Sequence, residues 1–483
     1  MDWLAERAAQ TPTAPALEFT GQKWDYETLN HWVETLAVQL EARGVKRRAR
    51  IAVHLANQPV YVALIHALAR IGAVAVPLNI RLTEPEIKLQ IEQSQCSCLI
   101  CDTQLPGPGK QILVSELSST PQQLPKRKRP PLEPDAVQGI FFTSGTSGFP
   151  KGAKLTFDNH HASALASAQR LGIDSHDRWL LSMPLYHIGG MSIVFRAALH
   201  GFTVVLHPNF DVDAVHRALT NENITIVSLV PTMLHRLLEK YPAFKPSSSL
   251  RVILLGGAGA PMDLLEKALA LNLPLALTYG LTEAASQVAT STPAETRLKA
   301  GSVGKPLPGT TVDIMDESGK SLPKGEIGEI VISGRTVMCG YLDSKEPPGR
   351  FHTGDIGYLD SDGDLWVLTR RTDLIVSGGE NVYPEEVERA LLRHPAVSEA
   401  CVVGMPDPEW GQSVAAAVVL REPCGTETLI QFLREQVAGY KIPRRIAFVE
   451  SLPRTASGKL KRTEVANMAG FKNPPYLLQN NDQ

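Results

Sequence analysis

The stretch Gly139–Ala153 reads G-I-F-F-T-S-G-T-S-G-F-P-K-G-A. Its first residues are apolar and read as a strand. Thr143, Ser144, Gly145, Thr146, Ser147 and Gly148 follow, all small or hydroxylated, and then Pro150, Lys151 and Gly152. Glycine lets backbone N–H groups converge on an anion, and hydroxyls add donors. Lys151 adds a point charge. The pattern suits a loop that holds phosphate. It is not the G-x-x-x-x-G-K-[ST] loop, because Lys151 is followed by Gly152. The plainer alternative is a Ser/Gly surface loop, and the rest of the chain decides between the two.

The chain has 483 residues, enough for two or more domains. Hydrophobic residues make up 43% and charged residues 20%, which suits a folded enzyme. A net charge of −2 argues against general nucleic-acid binding. The start, M-D-W-L-A-E-R, is too charged for a secretory leader. The longest apolar stretch, Tyr61–Ile80, contains His66, Arg70, Gly72 and Pro77. It reads as a buried helix, a turn and a strand, not as a transmembrane segment. Six cysteines suggest a reducing compartment, and the expected location is cytoplasmic. Cys96, Cys98 and Cys101 form C-x-C-x-x-C, with no fourth ligand nearby for zinc. The apolar run around them reads as a strand with buried thiols.

Asp25–Gly44 has apolar residues at helical spacing, with Gly44 to end the helix. Arg50–Leu55 alternates as a strand, Val60–Ile71 is helical and Val74–Val76 is a strand. This strand–helix–strand spacing means a parallel sheet in an α/β layer. Pro121–Pro134 is rich in proline and basic residues, and its Lys126–Arg129 run reads as a solvated connecting loop rather than a targeting or nucleic-acid patch. Strands are predicted at Trp179–Met183, Thr203–Leu206, Ile224–Leu229, Val252–Leu255 and Leu275–Thr278. Helices are predicted at Ile193–His200 and Val212–Thr220, and another opens with Pro261 at its first position. From Ser302 short strands and turns dominate, with hairpin turns at Asp316–Gly319 and Asp360–Gly363. Thr369–Asp373 reads as a linker, and the polar tail from Gly470 is expected to fray.

Five motifs occur in order: the Thr143–Lys151 loop, T-Y-G-L-T-E (278–283), H-T-G-D (352–355), R-R-T-D-L-I-V-S-G-G-E-N (370–381) and P-R-T-A-S-G-K (453–459). Together they resemble the adenylate-forming superfamily of acyl-CoA synthetases, adenylation domains and luciferases, over nearly the whole chain. The resemblance implies an α/β fold. Residues 1–368 would form a large N-terminal domain of stacked α/β layers, with a small β-barrel subdomain from about 302. A hinge at 369–373 would lead to a small, mobile α+β C-terminal lid domain at 374–483. It also implies a reaction in two halves. A carboxylate attacks the α-phosphate of ATP to give acyl-AMP and pyrophosphate, and a thiol then displaces AMP.

The implied roles fall on specific positions. Thr143, Ser144, Gly145, Thr146, Ser147 and Lys151 would hold the β- and γ-phosphates. Glu283, with Thr143 or Thr282, would hold Mg²⁺, a hard cation that prefers oxygen. The nucleotide site would include Thr278, Tyr279 and Gly280. Tyr279 would pack on adenine, with Gly256 and Gly257 letting the backbone approach the ring. Asp355 would accept from the ribose hydroxyls and Arg370 would lie near ribose and phosphate. Lys459 would reach both carboxylate and α-phosphate, then withdraw as the lid rotates about Thr372. Gly378 and Gly379 would then line the tunnel for the thiol. Two departures from the family pattern stand out, Thr369 in place of glycine and Thr372 in place of an acidic residue or lysine at the hinge. Taken singly, Glu283 can be read as a helix N-terminal acid, Asp355 as a turn cap and Lys459 as a surface charge.

No carrier domain for a tethered thiol follows the small domain, which favours free coenzyme A. P-L-Y-H-I-G-G-M-S-I-V-F-R-A (184–197) places His187 where the family gates its acyl pocket, with Arg196 nine residues on. With Ser286, Gln287 and Thr290 after the glutamate, this stretch resembles the branch that activates o-succinylbenzoate in menaquinone or phylloquinone synthesis. One carboxylate of that acid is activated, and Ser192 or Arg196 could meet the other. The alternatives are a ligase for another aryl or short acyl acid and, from a different class, an ATPase or nucleotide-binding regulator.

Overall fold

The computed structural model describes residues 2–105, 109–117, 129–144, 150–344, 349–369, 374–453 and 460–471. Two compact units emerge. One comprises Met1–Ile80, Gln90–Phe142 and Gly152–Arg370, and the other Arg81–Leu89, Thr143–Lys151 and Arg371–Gln483.

Two sheets dominate the first part of the chain. The nine-stranded sheet runs in the order Lys305–Pro306, Ser286–Thr290, Leu275–Leu281, Val252–Leu255, Ile226–Leu229, Arg178–Leu181, Thr203–Leu206, Pro15–Phe19 and Gln22–Asp25. Its middle strands are parallel. The six-stranded sheet runs Gln111–Leu113, Cys98–Cys101, Arg50–His54, Val74–Pro77, Val137–Ser144 and Pro150–Thr156. The runs T-V-V-L, I-V-S-L, V-I-L-L and V-A-V-P are buried at every position. That is what helices on both faces of a parallel sheet require. Cys98 and Cys101 are buried in their strand, and burial raises both thiol pKa values, Cys98 to about 11.

Helix ends follow local chemistry. The Asp25 carboxylate caps the helix Tyr26–Ala42 through the Thr28 N–H. Thr156 and Asn159 form a reciprocal capping box on Phe157–Leu171. Two helices begin elsewhere than the sequence pattern suggests. Pro261 is the cap of Met262–Ala270 and lies outside its first turn. The helix expected from Ile193 starts at Ile188, with Gly189 and Gly190 inside it. A Cβ on Gly190 would lie 2.4 Å from the Pro184 carbonyl oxygen. These glycines serve a close approach, not a loop.

After Ser302 the strands Thr310–Met315, Gly328–Gly334, Phe351–Leu359 and Leu365–Thr369 form an antiparallel meander. Its inner residues Ile314, Ile330 and Ile332 pack with Tyr279, Val288 and Ala289. Turns at Asp316–Gly319 and Asp360–Gly363 close its hairpins. Among the described residues of the 121–134 segment, Arg129 donates to Glu34 and Glu41. Lys126, Arg127 and Lys128 lie outside the described residues.

The second unit carries the long hairpin Val397–Asp407 and Gly411–Leu420, extended by Ile375–Ser377, Glu380–Val382 and Arg445–Phe448. Alternate residues face opposite ways. Ala400, Val402, Ala416 and Val418 pack with Val387, Leu391, Leu429 and Leu433. Cys401, Val403, Ala415 and Ala417 pack with Val465 and Phe471. No helix among the described residues is long and apolar enough to cross a membrane.

Asp177 pins a junction in the first unit. Arg251 donates to it through Nε at 2.9 Å and also caps the carbonyls of Leu171 and Gly172. Thr225 donates at 2.6 Å. Burial pushes the Asp177 carboxyl up, but hydrogen bonds from Arg251 and Thr225 outweigh it, and the net shift is downward. Its contribution is therefore complete above the ordinary carboxylate range and fades as pH falls through the lowered folded value. Asp177→Ala should cost about 2 kcal/mol, because it removes the charge-assisted hydrogen bonds from Arg251 and the bond from Thr225. Urea unfolding at pH 7 checks this, with the gap to wild type narrowing in acid.

Candidate functional site

The strand Leu275–Leu281 leaves the parallel sheet and folds back as Ser286–Thr290 through a single 3₁₀ turn, Thr282–Ala284. The return is tight. A Cβ on Gly280 would lie 2.0 Å from the Ser286 carbonyl oxygen. Ala285 and Ser286 take φ of 51° and 113°, conformations that cost energy outside glycine. Gly256, at the end of the neighbouring strand, faces Thr278 so closely that a Cβ would sit 2.4 Å from its Cγ2. Here the glycine answers strand packing. Gly257 has φ of 82°. A chain of bonds closes the base of the hairpin: Gln287 Nε2 donates to Thr290 Oγ1 at 2.8 Å, which lies 2.8 Å from Thr278 Oγ1.

This hairpin carries two of the expected site residues to partners far off in sequence. The Tyr279 hydroxyl donates to Asp355 Oδ2 at 2.6 Å. The segment 352–355 is itself fixed by Glu329, which accepts from the Gly354 N–H at 3.0 Å and meets His352 Nδ1 at 2.9 Å. The Tyr341 hydroxyl donates to Glu283 Oε1 at 2.8 Å, and the Met338 N–H donates to the Glu283 carbonyl at 2.8 Å. Glu283 thus stands as an oriented carboxylate next to the Thr282 hydroxyl in sequence. These are hard oxygen donors that suit Mg²⁺. Glu329 and Tyr341 were missed in the sequence, where C-G-Y-L around Tyr341 carries no recognisable signal.

His187 caps the helix Ile188–His200 from an extended conformation, its ring 4.7 Å from that of Tyr186. The turn before it is held by Asn57, which donates to the Met183 carbonyl and accepts from the Leu185 N–H, both at 2.9 Å. Asn57 was also missed, since its partners lie more than 120 residues away. Ser192 donates to the Gly189 carbonyl at 3.3 Å. Arg196 is only 2% exposed, and its Nε and Nη2 have no hydrogen-bond partner among the described residues. Its guanidinium lies 5.7 Å from the centre of the Trp179 ring. Burial lowers its pKa to about 9, with no carboxylate among the described residues countering the shift. Ser286 sits on the strained return of the hairpin.

In the second unit, Thr143 Oγ1 donates to the Lys151 carbonyl at 3.4 Å. Gly378 and Gly379 form a two-residue hairpin turn between Ser377 and Glu380, with φ of 60° and 85°. A Cβ on Gly378 would lie 2.6 Å from the Trp410 ring. Turn geometry alone accounts for both glycines. Gly145, Thr146, Ser147, Arg370, Thr372 and Lys459 lie outside the described residues, as does the side chain of Ser144.

Residues 4–342 match the family described as AMP-binding enzyme, and residues 386–459 match the AMP-binding enzyme C-terminal domain. A 2-succinylbenzoate–CoA ligase from Bacillus cereus is 40% identical over 476 residues, which is 97% of this chain and 98% of that protein. A double mutant of o-succinylbenzoate CoA synthetase from Bacillus subtilis, bound with its product analogue, is similar with a TM-score of 0.91 and 38% identity. The match covers 96% of this chain and 98% of that one. The same synthetase in complex with its acyl-adenylate intermediate matches with a TM-score of 0.73 and 38% identity, over 96% and 97% of the two chains.

If the Tyr279–Asp355 bond orients a nucleotide-binding carboxylate, Tyr279→Phe should weaken AMP binding about three- to tenfold, the net scale of one ordinary hydrogen bond, since the carboxylate itself stays in place. Calorimetric titration measures it, and binding equal to wild type would remove the pair from the nucleotide site.

Proposed function

The chain belongs to the AMP-binding enzyme family, and from that premise we propose that it is an acid–thiol ligase that makes o-succinylbenzoyl-CoA from o-succinylbenzoate, ATP and coenzyme A. In the first half-reaction the aliphatic carboxylate attacks the α-phosphate, the bond to the β-phosphate oxygen breaks and pyrophosphate leaves. In the second the coenzyme A thiol attacks the acyl carbon and AMP leaves.

The observation that carries the choice of acid is Arg196, a guanidinium buried without a carboxylate partner among the described residues. A buried cation is costly unless an anion meets it. An acid with two carboxylates supplies one for chemistry and one for the arginine, whose planar fork can take it with two bonds. Arg196 stands on the helix that His187 caps. Ser192 and Ser286 are assigned to the same acid, and His187 to the mouth of its pocket.

The remaining assignments follow the family pattern. Tyr279, Gly280, Thr278, Gly256 and Gly257 form the adenine side, and Asp355 with Arg370 the ribose side. The loop from Thr143 through Ser144, Gly145, Thr146 and Ser147 to Lys151 takes the outer phosphates. Mg²⁺, held by Glu283 with Thr282 or Thr143, would neutralise phosphate charge. Lys459 bridges the two reacting anions, where a charge fixed in advance favours the transition state. The domain division at 369–373, the pivot at Thr372 and the Gly378–Gly379 thiol tunnel belong to this proposal. None of the six cysteines is in a disulfide, which suits a reducing compartment, and the enzyme is assigned to the cytoplasm.

A panel of carboxylic acids in ATP–pyrophosphate exchange, followed by coenzyme A and product mass, tests the function. Exchange should depend on o-succinylbenzoate, and a preference for a monocarboxylic acid would overturn the choice. Lys459→Ala should cut exchange about 100-fold or more, while thioester formation from supplied acyl-AMP changes far less. Equal losses in both halves would refute the role given to Lys459.

A further inference from the structure

The helices Phe157–Leu171 and Ile188–His200 lie side by side. His200 Nε2 is 3.2 Å from the Ala164 carbonyl oxygen. Four residues back along each helix, about one turn, stand Arg196 and His160. The two helices stay in contact there, since the His160 ring lies 4.6 Å from that of Phe195, tilted by 50°. They therefore run in the same direction, and His160 and Arg196 stand at the same level of the seam between them. The Arg196 charge bears on the imidazole accordingly.

His160 has no assigned task in the reading above, and it is buried as deeply as Arg196. Neither Nδ1 nor Nε2 has a hydrogen-bond partner among the described residues. Phe141 also stands edge-on to it, at 6.1 Å. Burial first, and then the Arg196 charge, lower its pKa to about 3. At neutral pH the ring is uncharged and keeps one N–H donor. A buried donor with no acceptor is a rare arrangement in a folded chain. Here two such groups, one cationic and one neutral, stand together on adjoining helices. A single carboxylate satisfies both: it neutralises the guanidinium and accepts from the imidazole. A second cation in place of His160 would leave an excess of positive charge in an apolar seam.

We propose that His160 is a specificity-determining residue, donating a hydrogen bond to the remote carboxylate of the acid beside the guanidinium of Arg196. This rests on the reading that the acid carries two carboxylates. It predicts discrimination between o-succinylbenzoate and 4-oxo-4-phenylbutanoate, the same acid without its ring carboxylate.

His160→Phe keeps the ring and removes the donor, in walls already made of phenylalanine. ATP–pyrophosphate exchange is measured with both acids for wild type, His160→Phe and His160→Gln. For His160→Phe, kcat/KM on o-succinylbenzoate should fall about 10- to 100-fold, mainly through KM, the range for one hydrogen bond to a charged group. Activity on the monocarboxylic acid should change by less than about threefold. His160→Gln, which retains an N–H donor, should recover part of the loss. If the phenylalanine variant does not fold, His160→Leu carries the same prediction. Equal losses on the two acids, or no loss on either, would make His160 a packing residue and overturn the proposal. Wild type showing no preference for the dicarboxylic acid would instead refute the reading on which it rests.

Discussion

The backbone return at 278–290 constrains most of what surrounds it. Gly280 meets the Ser286 carbonyl at a distance that no Cβ could share, and Ala285 and Ser286 bear positive φ so that the strand can turn back at once. That turn converts the end of a parallel sheet into an antiparallel hairpin. Three further parts of the first unit are tied to it. Ser163 donates to the Ala285 carbonyl and Arg170 to the Thr290 carbonyl, which lays the 157–171 helix along the hairpin. Tyr279 reaches Asp355 and Tyr341 reaches Glu283, which bring in the meander and the connection between its second and third strands. Strain at 285–286 persists because these bonds over-determine the local path.

The parallel strands were legible because burial on both faces leaves a continuous apolar run that needs no partner to be recognised. The cap at Asp25 was equally local. What lay hidden was set by contacts distant in sequence. Gly189 and Gly190 look like helix breakers until the Met183 side chain is seen against the first and the Pro184 carbonyl against the second, and so the helix was read as starting five residues late. Pro261 stands one residue outside its helix, a difference that composition cannot resolve. At the site, glutamate and aspartate were visible within their motifs. The tyrosine on Glu283, the glutamate under Gly354 and the asparagine that clamps the turn before His187 were not. Each is an ordinary residue whose role exists only once strands from separate parts of the chain are brought together.

The glycines give a related lesson. Gly256, Gly378 and Gly379 were read as space left for a ligand. The structure supplies a local reason for each: Thr278 against Gly256, and a two-residue hairpin with positive φ at Gly378 and Gly379. Substituting either turn glycine by a branched residue would disturb the hairpin as well as any tunnel, so such a variant cannot separate the two causes. Arg196 is the opposite case. Packing against Trp179 accounts for its aromatic neighbour, but nothing among the described residues accounts for its charge.

That unpaired charge is the centre of the account, because it connects the fold of one helix to the choice of acid. Paired kinetics on Arg196→Ala test it directly, with o-succinylbenzoate and its analogue lacking the ring carboxylate as substrates. The account predicts a loss of about 2–5 kcal/mol in kcat/KM on the dicarboxylic acid, the cost of breaking a buried charge pair, with little change on the analogue. Equal losses on both acids would contradict it and make Arg196 part of the scaffold.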